Sequence, residues 1–243
     1  MAIAGRKTIG AGENQKLPRH SRFRGFGDGG AVSRHDPSVP PNPLGPPRLA
    51  GHAVPVPEAL RARMVGASWH PDPRCPPFEA LRLLRLPHWD LAGEQQIGEL
   101  VVAATLADEV LAIFAGLHAL GFPIARMQVV DDYGGDDDAS MAANNTSAFN
   151  FRNVAGTEAL SMHAFGVAID INPLLNPMIT SAGIFPPGGA AYADRSVACP
   201  GMIARPGPVV ALFDAQGWQW GGDWVRSKDY HHFVKPIAEP TVV

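Results

Sequence analysis

The stretch Val167-Ala168-Ile169-Asp170-Ile171-Asn172 decides how this chain is read. Val167, Ile169 and Ile171 alternate with Ala168, Asp170 and Asn172, the two-residue period of a strand with one apolar face. Asp170 then stands on the opposite face, between small Ala168 and polar Asn172, and a rigid strand suits a carboxylate to metal binding. Just upstream, Ser161-Met162-His163-Ala164-Phe165-Gly166 places a histidine seven residues before that aspartate. Gly166 lets the chain turn tightly, so that His163 and Asp170 can converge. Near the C-terminus, Asp229-Tyr230-His231-His232-Phe233 adds a further histidine with a carboxylate three residues before it. Two imidazoles and one carboxylate form a three-ligand set that leaves a zinc ion one position for water, as in a catalytic rather than a closed structural site. The remaining carboxylate, Asp229, is free to act as base toward that water. Strand alternation lets only one of His231 and His232 face the metal.

Composition frames this site. A chain of 243 residues fits one catalytic domain plus an extension. Apolar residues make up 46% of it, enough for a sizeable core. The net charge of −3 carries no nucleic-acid signature. No apolar run approaches membrane-spanning length, so no transmembrane segment is expected. Residues 1–30 are basic but lack the apolar run of a secretory signal peptide.

The first fifty residues differ from the rest. Arg6, Lys7, Lys16, Arg19, Arg22, Arg24 and Arg34 are followed by a tract containing Pro37, Pro40, Pro41, Pro43, Pro46 and Pro47. Little in this stretch can offset the entropy of ordering, so residues 1–53 read as a disordered basic, Pro-rich tail and linker. Residues 54–243 read as the catalytic domain.

Within that domain helices are expected at Pro57–Val65 and Pro77–Leu86. Gly98–Ala103 reads as a strand. Leu106, Val110, Ile113, Phe114 and Leu117 recur at helical spacing, and Gly121 with Pro123 ends that helix. Ile124–Val130 reads as a strand, Pro208–Gln216 as a helix ended by Gly217, and Trp218–Trp220 as the start of a C-terminal hairpin. Strands and helices without regular βαβ repetition predict an α+β domain: a small, mostly antiparallel sheet with helices packed on it and a zinc cleft.

Other motifs have plainer readings. The Asp131–Asp138 loop lacks the alternating ligands and distal Glu of an EF-hand and reads as a solvated turn. Cys75 and Cys199 are too few for a cysteine-type structural zinc site, and their even count permits a disulfide. Trp218, Trp220 and Trp224 read as packing residues, although Gly221-Gly222 lets one ring wall the cleft, and Trp220 is the candidate.

The run Ser161-x-His163-x-x-Gly166-x-Ala168-x-Asp170, with Ile171-Asn172-Pro173 and Asn176-Pro177 after it, resembles the zinc D-alanyl-D-alanine carboxypeptidases and L-alanyl-D-glutamate endopeptidases that cut peptidoglycan stem peptides. Gly217-Trp218-Gln219-Trp220-Gly221-Gly222-Asp223-Trp224, then Asp229-x-x-His232-Phe233, resembles the second half of the same signature. Upstream, Gly98–Val102 and Ser140–Arg152 resemble the endopeptidase-type branch. The resemblance implies Zn2+ held by His163, Asp170 and His232, with Asp229 as general base; Phe233 after His232 favours that histidine over His231. It implies that Arg152 lies near the substrate carbonyl. Ser161 and Trp220 are the candidate substrate contacts. Many relatives carry Glu where this chain has Asp229, so the shorter side chain must bring its backbone closer to the water. On the ideal alternation Asp229 and His232 face opposite sides, so Ser227-Lys228-Asp229 is expected in a turn before a strand that starts near His231.

The implied activity is hydrolysis of peptide bonds in peptidoglycan stem peptides by metal-activated water. The competing reading is a catalytically silent zinc-holding module that binds cell wall or a partner, against which Asp229 and Arg152 argue, since a binding site needs no base. The substrate implies a cell-envelope or extracellular location, which sits awkwardly with the missing signal segment.

Overall fold

A computed structural model describes residues 50–236. The expected tail over residues 1–49 lies outside the described residues. In chain order the elements are β1 (His52–Pro55), α1 (Glu58–Met64), β2 (Leu81–Trp89), β3 (Gln95–Ala103), α2 (Ala107–Ala119), β4 (Arg126–Met127), α3 (Asp137–Ala142), β5 (Asn145–Thr146), β6 (Ala168–Asp170), β7 (Met178–Thr180), β8 (Gly183–Phe185), α4 (Pro208–Asp214), β9 (Gln219–Trp220), β10 (Lys228–Asp229) and β11 (His232–Val234). They form an α+β fold with three small three-stranded sheets, ordered β1-β2-β3, β10-β7-β8 and β6-β11-β9, plus the pair β4-β5. Every pairing in the three larger sheets is antiparallel, and β4 with β5 is parallel. β1 begins at His52, two residues before the domain start expected at Val54, because His52 and Ala53 pair with Arg85 and Leu84. No helix among the described residues is long and apolar enough to cross a membrane.

The expected helix at Pro77–Leu86 is instead a short 3-10 turn, Phe78–Ala80, running into strand β2. The physical reason is burial on both faces. Leu84 and Leu86 join Leu100 and Val102 of β3 in one apolar cluster, whereas Leu81 and Leu83 join Val101 in another. Alternating leucines that are all buried give a near-continuous apolar run, from which the two-residue period cannot be read. Each fully buried leucine contributes roughly 1.5–3 kcal/mol.

Helix α2 follows its periodicity closely. Val110, Ile113, Phe114 and Leu117 are buried against Leu84, Leu86 and Leu100. Gly121, at φ +65°, takes the left-handed conformation just past the helix end. The same cluster receives Val209, Val210 and Phe213 of α4, and Ile169 and Phe233 from the sheet β6-β11-β9. Phe213 stacks on Phe233 with ring centroids 3.7 Å apart. The second cluster lies under α1 and includes Leu60, Met64, Phe149, Phe151 and Ala164. It supports the turn that carries His163.

Three further expectations change in extent. The strand expected over Ile124–Val130 is reduced to Arg126–Met127, and Val130–Tyr133 forms a 3-10 turn. The turn expected at Ser227-Lys228-Asp229 contains the short strand β10, which pairs with β7 rather than with the sheet that holds His232. β9 pairs with β11 as expected, but β10 and the 3-10 turn Gly221–Asp223 intervene, so no tight hairpin forms. Cys75 and Cys199 are both free thiols.

Candidate active site

The site is built on the polar face of β6 and β11. Antiparallel register sets Asp170 directly opposite His232 and Ile169 directly opposite Phe233. Paired residues share a face, so Ile169 and Phe233 enter the core while Asp170 and His232 stand together on the other side. Asp170 Oδ1 lies 2.9 Å from His232 Nδ1.

His163 reaches the same point from a 3-10 turn, Met162–Phe165. Ser161 Oγ accepts the His163 N–H at 3.3 Å and opens this turn. Gly166 closes it at φ +68°, and a Cβ there would come within 2.7 Å of the Ala103 nitrogen. The Ala103 N–H donates to the Gly166 carbonyl, tying the turn to the end of β3. His163 Nδ1 faces the Ala148 carbonyl at 2.6 Å, so that nitrogen carries the proton. Nε2 then faces Asp170 Oδ2, 3.2 Å away, and His232 Nδ1, 3.3 Å away. A ring nitrogen donated to a backbone carbonyl is the usual way a histidine is oriented for a metal.

Among the described residues, His163, Asp170 and His232 form the group whose donor atoms converge, all within 4.8 Å of one another, and all three are buried. One carboxylate and two imidazoles in that space match the donor chemistry of a zinc ion. Burial opposes a charged His163, but the Asp170 carboxylate outweighs it and raises the ring above the ordinary histidine range. Burial likewise opposes ionisation of Asp170, yet His163 and His231 hold its carboxyl well below the ordinary carboxylate range. Asp170 therefore stays ionised although it is buried.

The two adjacent histidines divide their roles. His231 lies outside the three-residue group but has one ring edge toward Asp170. Its Nδ1 donates to the Asn176 carbonyl at 2.8 Å, and its Nε2 lies 2.9 Å from Asp229 Oδ1 and 3.9 Å from Asp170 Oδ2. The approach to Asp229 is oblique, and Oδ1 makes no well-aligned hydrogen bond among the described residues. Both ring nitrogens thus face acceptors. Burial works against the charged ring, but Asp229 and then Asp170 prevail and push it up to about 10.

Asp229 is 7% exposed. Its backbone packs closely on Gly221, where a Cβ would meet the Asp229 carbonyl oxygen at 2.6 Å. Lys228 and Asp229 pair with Ile179 and Met178, which fixes this segment from the other side.

Arg152 lies at the rim, its Nη2 paired with Asp137 Oδ2 at 2.6 Å. Its carbonyl accepts the Ser161 N–H, which holds it beside the His163 turn, and its charge is felt at His163. Asp137 was read as part of a solvated acidic turn; it opens α3 and holds the arginine. Nothing in the run of acidic residues singled it out.

The two expected substrate contacts do not line an open cleft. Ser161 is buried, and its hydroxyl is engaged in opening the turn. Trp220 is 4% exposed, belongs to the main core and donates its Nε1–H to the Tyr230 carbonyl. The alternation along β9 sends it inward beside Phe233, so Trp220 is corrected to a core residue. Trp224 is the ring near the His163, Asp170 and His232 group: it is 37% exposed, with its centroid 5.4 Å from that of His232.

A buried amide network holds the site from behind. Asn172 follows β6 in the left-handed region at φ +48°. Its side chain accepts the Ala125 N–H and donates to the carbonyls of Pro123 and Gly201. Asn176 donates to the Ile171 and Gly201 carbonyls and accepts from Ile203 and Arg195. Its own carbonyl takes the His231 proton.

A family profile described as D-alanyl-D-alanine carboxypeptidase matches residues 155–235, about a third of the chain. The matched region contains His163, Asp170, Asp229, His231 and His232, and ends before Val243; Arg152 and the blocks at Gly98–Val102 and Ser140–Arg152 lie outside it. No curated protein and no solved structure matches the chain.

Proposed function

We propose that this chain is a zinc-dependent peptidase that hydrolyses peptide bonds in peptidoglycan stem peptides, of the D-alanyl-D-alanine carboxypeptidase or L-alanyl-D-glutamate endopeptidase type. The observation that carries this reading is the convergence of His163, Asp170 and His232 within 4.8 Å, with Asp229 one imidazole away, inside the region similar to that carboxypeptidase family. His163 Nε2, an Asp170 carboxylate oxygen and His232 Nδ1 would hold the ion. When bound, zinc supplies Lewis acidity, polarising a carbonyl and lowering the pKa of water toward neutrality.

The protein's own groups perform the rest. Asp229 accepts a proton from the attacking water through a carboxylate oxygen and delivers it to the leaving nitrogen as the C–N bond breaks. Arg152 donates to the carbonyl oxygen as charge develops there, or to a substrate carboxylate. Asp137 keeps the guanidinium aimed until substrate competes for it. Trp224 forms an apolar wall beside His232. Ser161 acts through the turn that carries His163. The domain responsible spans the described residues, and residues 1–49 are proposed to be dispensable to its chemistry. Such a substrate places the working protein at the cell envelope or outside the cell.

Digestion of purified peptidoglycan, with mass analysis of the fragments, tests this reading. The expected result is release of D-alanine or cleavage after L-alanine, abolished by a zinc chelator and restored by added zinc. Intact peptidoglycan after incubation with zinc-loaded protein contradicts it.

A further inference from the structure

From the contacts of its ring we infer that His231 is a positioning residue, which anchors the Asp229 carboxylate toward the water-attack position and takes no part as a metal ligand. The inference rests on the peptidase reading for its kinetic consequence, and on geometry alone for its structural one.

Three observations carry it. First, both edges of the His231 ring meet acceptors: Nδ1 is hydrogen-bonded to the Asn176 carbonyl at 2.8 Å, and Nε2 lies in ion-pair contact with Asp229 Oδ1 at 2.9 Å. Asn176 is itself immobilised by bonds to Ile171, Gly201, Ile203 and Arg195. The ring is therefore a rigid strut between a buried amide network and the carboxylate. Second, Asp229 has little else to hold it. Its Oδ1 is buried and makes no well-aligned hydrogen bond, that to His231 included, so the ion-pair approach of the imidazole at 2.9 Å is the polar side-chain contact it has among the described residues. Third, the strand breaks between Asp229 and His232. Asp229 ends β10 in one sheet and His232 begins β11 in another. Tyr230 and His231 span the break, and the His231 carbonyl is held by the Ile171 N–H. In a continuous strand Asp229 and His231 would share a face and His232 would point away from both. Breaking the ladder is what lets Asp229 and His232 serve one site, with His231 between Asp229 and Asp170.

A short aspartate needs such a strut more than a glutamate would. Its carboxylate has one side-chain torsion fewer to reach the water, so its aim depends on where the backbone and its neighbour hold it. Misaiming a reacting group by about 1 Å costs on the order of a hundredfold in rate.

The test uses the full-length zinc-loaded protein with His231→Leu, which keeps the volume and removes both ring contacts, and His231→Gln, whose amide can still donate to Asp229. Expected are zinc content equal to wild type in both, kcat lowered about ten- to a hundredfold in His231→Leu with KM changed less than about threefold, and partial recovery in His231→Gln. Adding His231→Leu to Asp229→Asn is expected to cost less than about twofold more, since two residues that act through one group are non-additive. Loss of zinc from a folded His231 variant would make it a ligand and overturn the assignment, as would wild-type kcat in both variants or fully additive losses in the double variant. Should the wild type cleave no peptidoglycan, the peptidase reading fails on its own. Crystal structures of wild type and the two variants then still decide the strut. An Asp229 carboxylate turned out of place in the variants supports it, and one unmoved overturns it. His231→Gln serves in every arm if His231→Leu does not fold.

Discussion

In the nine-residue strands β2 and β3 both faces carry buried leucine and valine, whereas in the three-residue strands β6 and β11 one face is apolar and the other holds Asp170 and His232. The long pair, β2 and β3, is joined by nine registered partners and sits between two apolar clusters. The short pair has three, and its polar face buries two titratable groups. Burial of apolar area accounts for the first; it cannot account for the second. The sheet that carries Asp170 and His232 is held instead by what surrounds it: Ser147 bonds both backbone groups of Asp170, and Asn172 and Asn176 tie the following loop to Pro123, Gly201 and Ile203. The sheet held by apolar burial and the sheet that carries the candidate site thus meet in one core at Ile169 and Phe233.

If that division holds, substitutions in the two sheets fail differently. The largest effect is expected at the metal group. His163→Ala should lower peptide turnover by at least about a thousandfold, since the ligand set supplies several kcal/mol of the lowered barrier. Its thermal unfolding in chelator should stay close to that of wild type in chelator. A large loss of stability there would mean that the imidazole supports the fold and would blur the comparison.

Next comes Asp229→Asn, which keeps the shape and removes the carboxylate proposed as the base. Turnover should fall about a hundredfold to ten-thousandfold with zinc retained. Near wild-type turnover in the zinc-loaded variant would favour the silent binding module.

The opposite signature is expected in the long sheet. Leu84→Ala in β2 should destabilise the protein by about 2–5 kcal/mol in denaturant unfolding. The fraction still folded should bind one zinc and turn over normally. Loss of zinc in proportion to stability would show that the sheets are not separable.

The smallest effect is expected from the N-terminus. Deleting residues 1–49 should leave the melting temperature and small-peptide turnover nearly unchanged. Deleting through Pro55 removes β1, which pairs along β2 from His52 to Pro55, and should lower the melting temperature clearly. Equal loss from both deletions would place part of the fold before residue 50.

The same contrast explains what the sequence disclosed. β6 was legible because its apolar face alternates with small and polar residues, and helix α2 because one face alone is apolar. β2 was not legible: leucines on both faces hide the two-residue period, and leucine is also a strong helix former. The turn at Gly166 pointed to the convergence of His163 and Asp170, and the family resemblance pointed to His232, but neither disclosed the partner of His231. The pairing of β10 with β7 is a long-range event, and no local pattern announces that Asp229 and His232 lie in different sheets. Among three nearby tryptophans, composition could not separate Trp220 in the core from Trp224 beside His232. Asp137 was indistinguishable from its acidic neighbours until Arg152 was found against it.

The central claim is that the polar face of β6 and β11, completed by His163, holds a zinc ion. Elemental analysis of the purified full-length protein tests it most directly, with the His163→Ala, His232→Ala double variant alongside and folding checked by circular dichroism. The account predicts one zinc per chain in the wild type and none in the folded double variant; stoichiometric zinc in the double variant would contradict it.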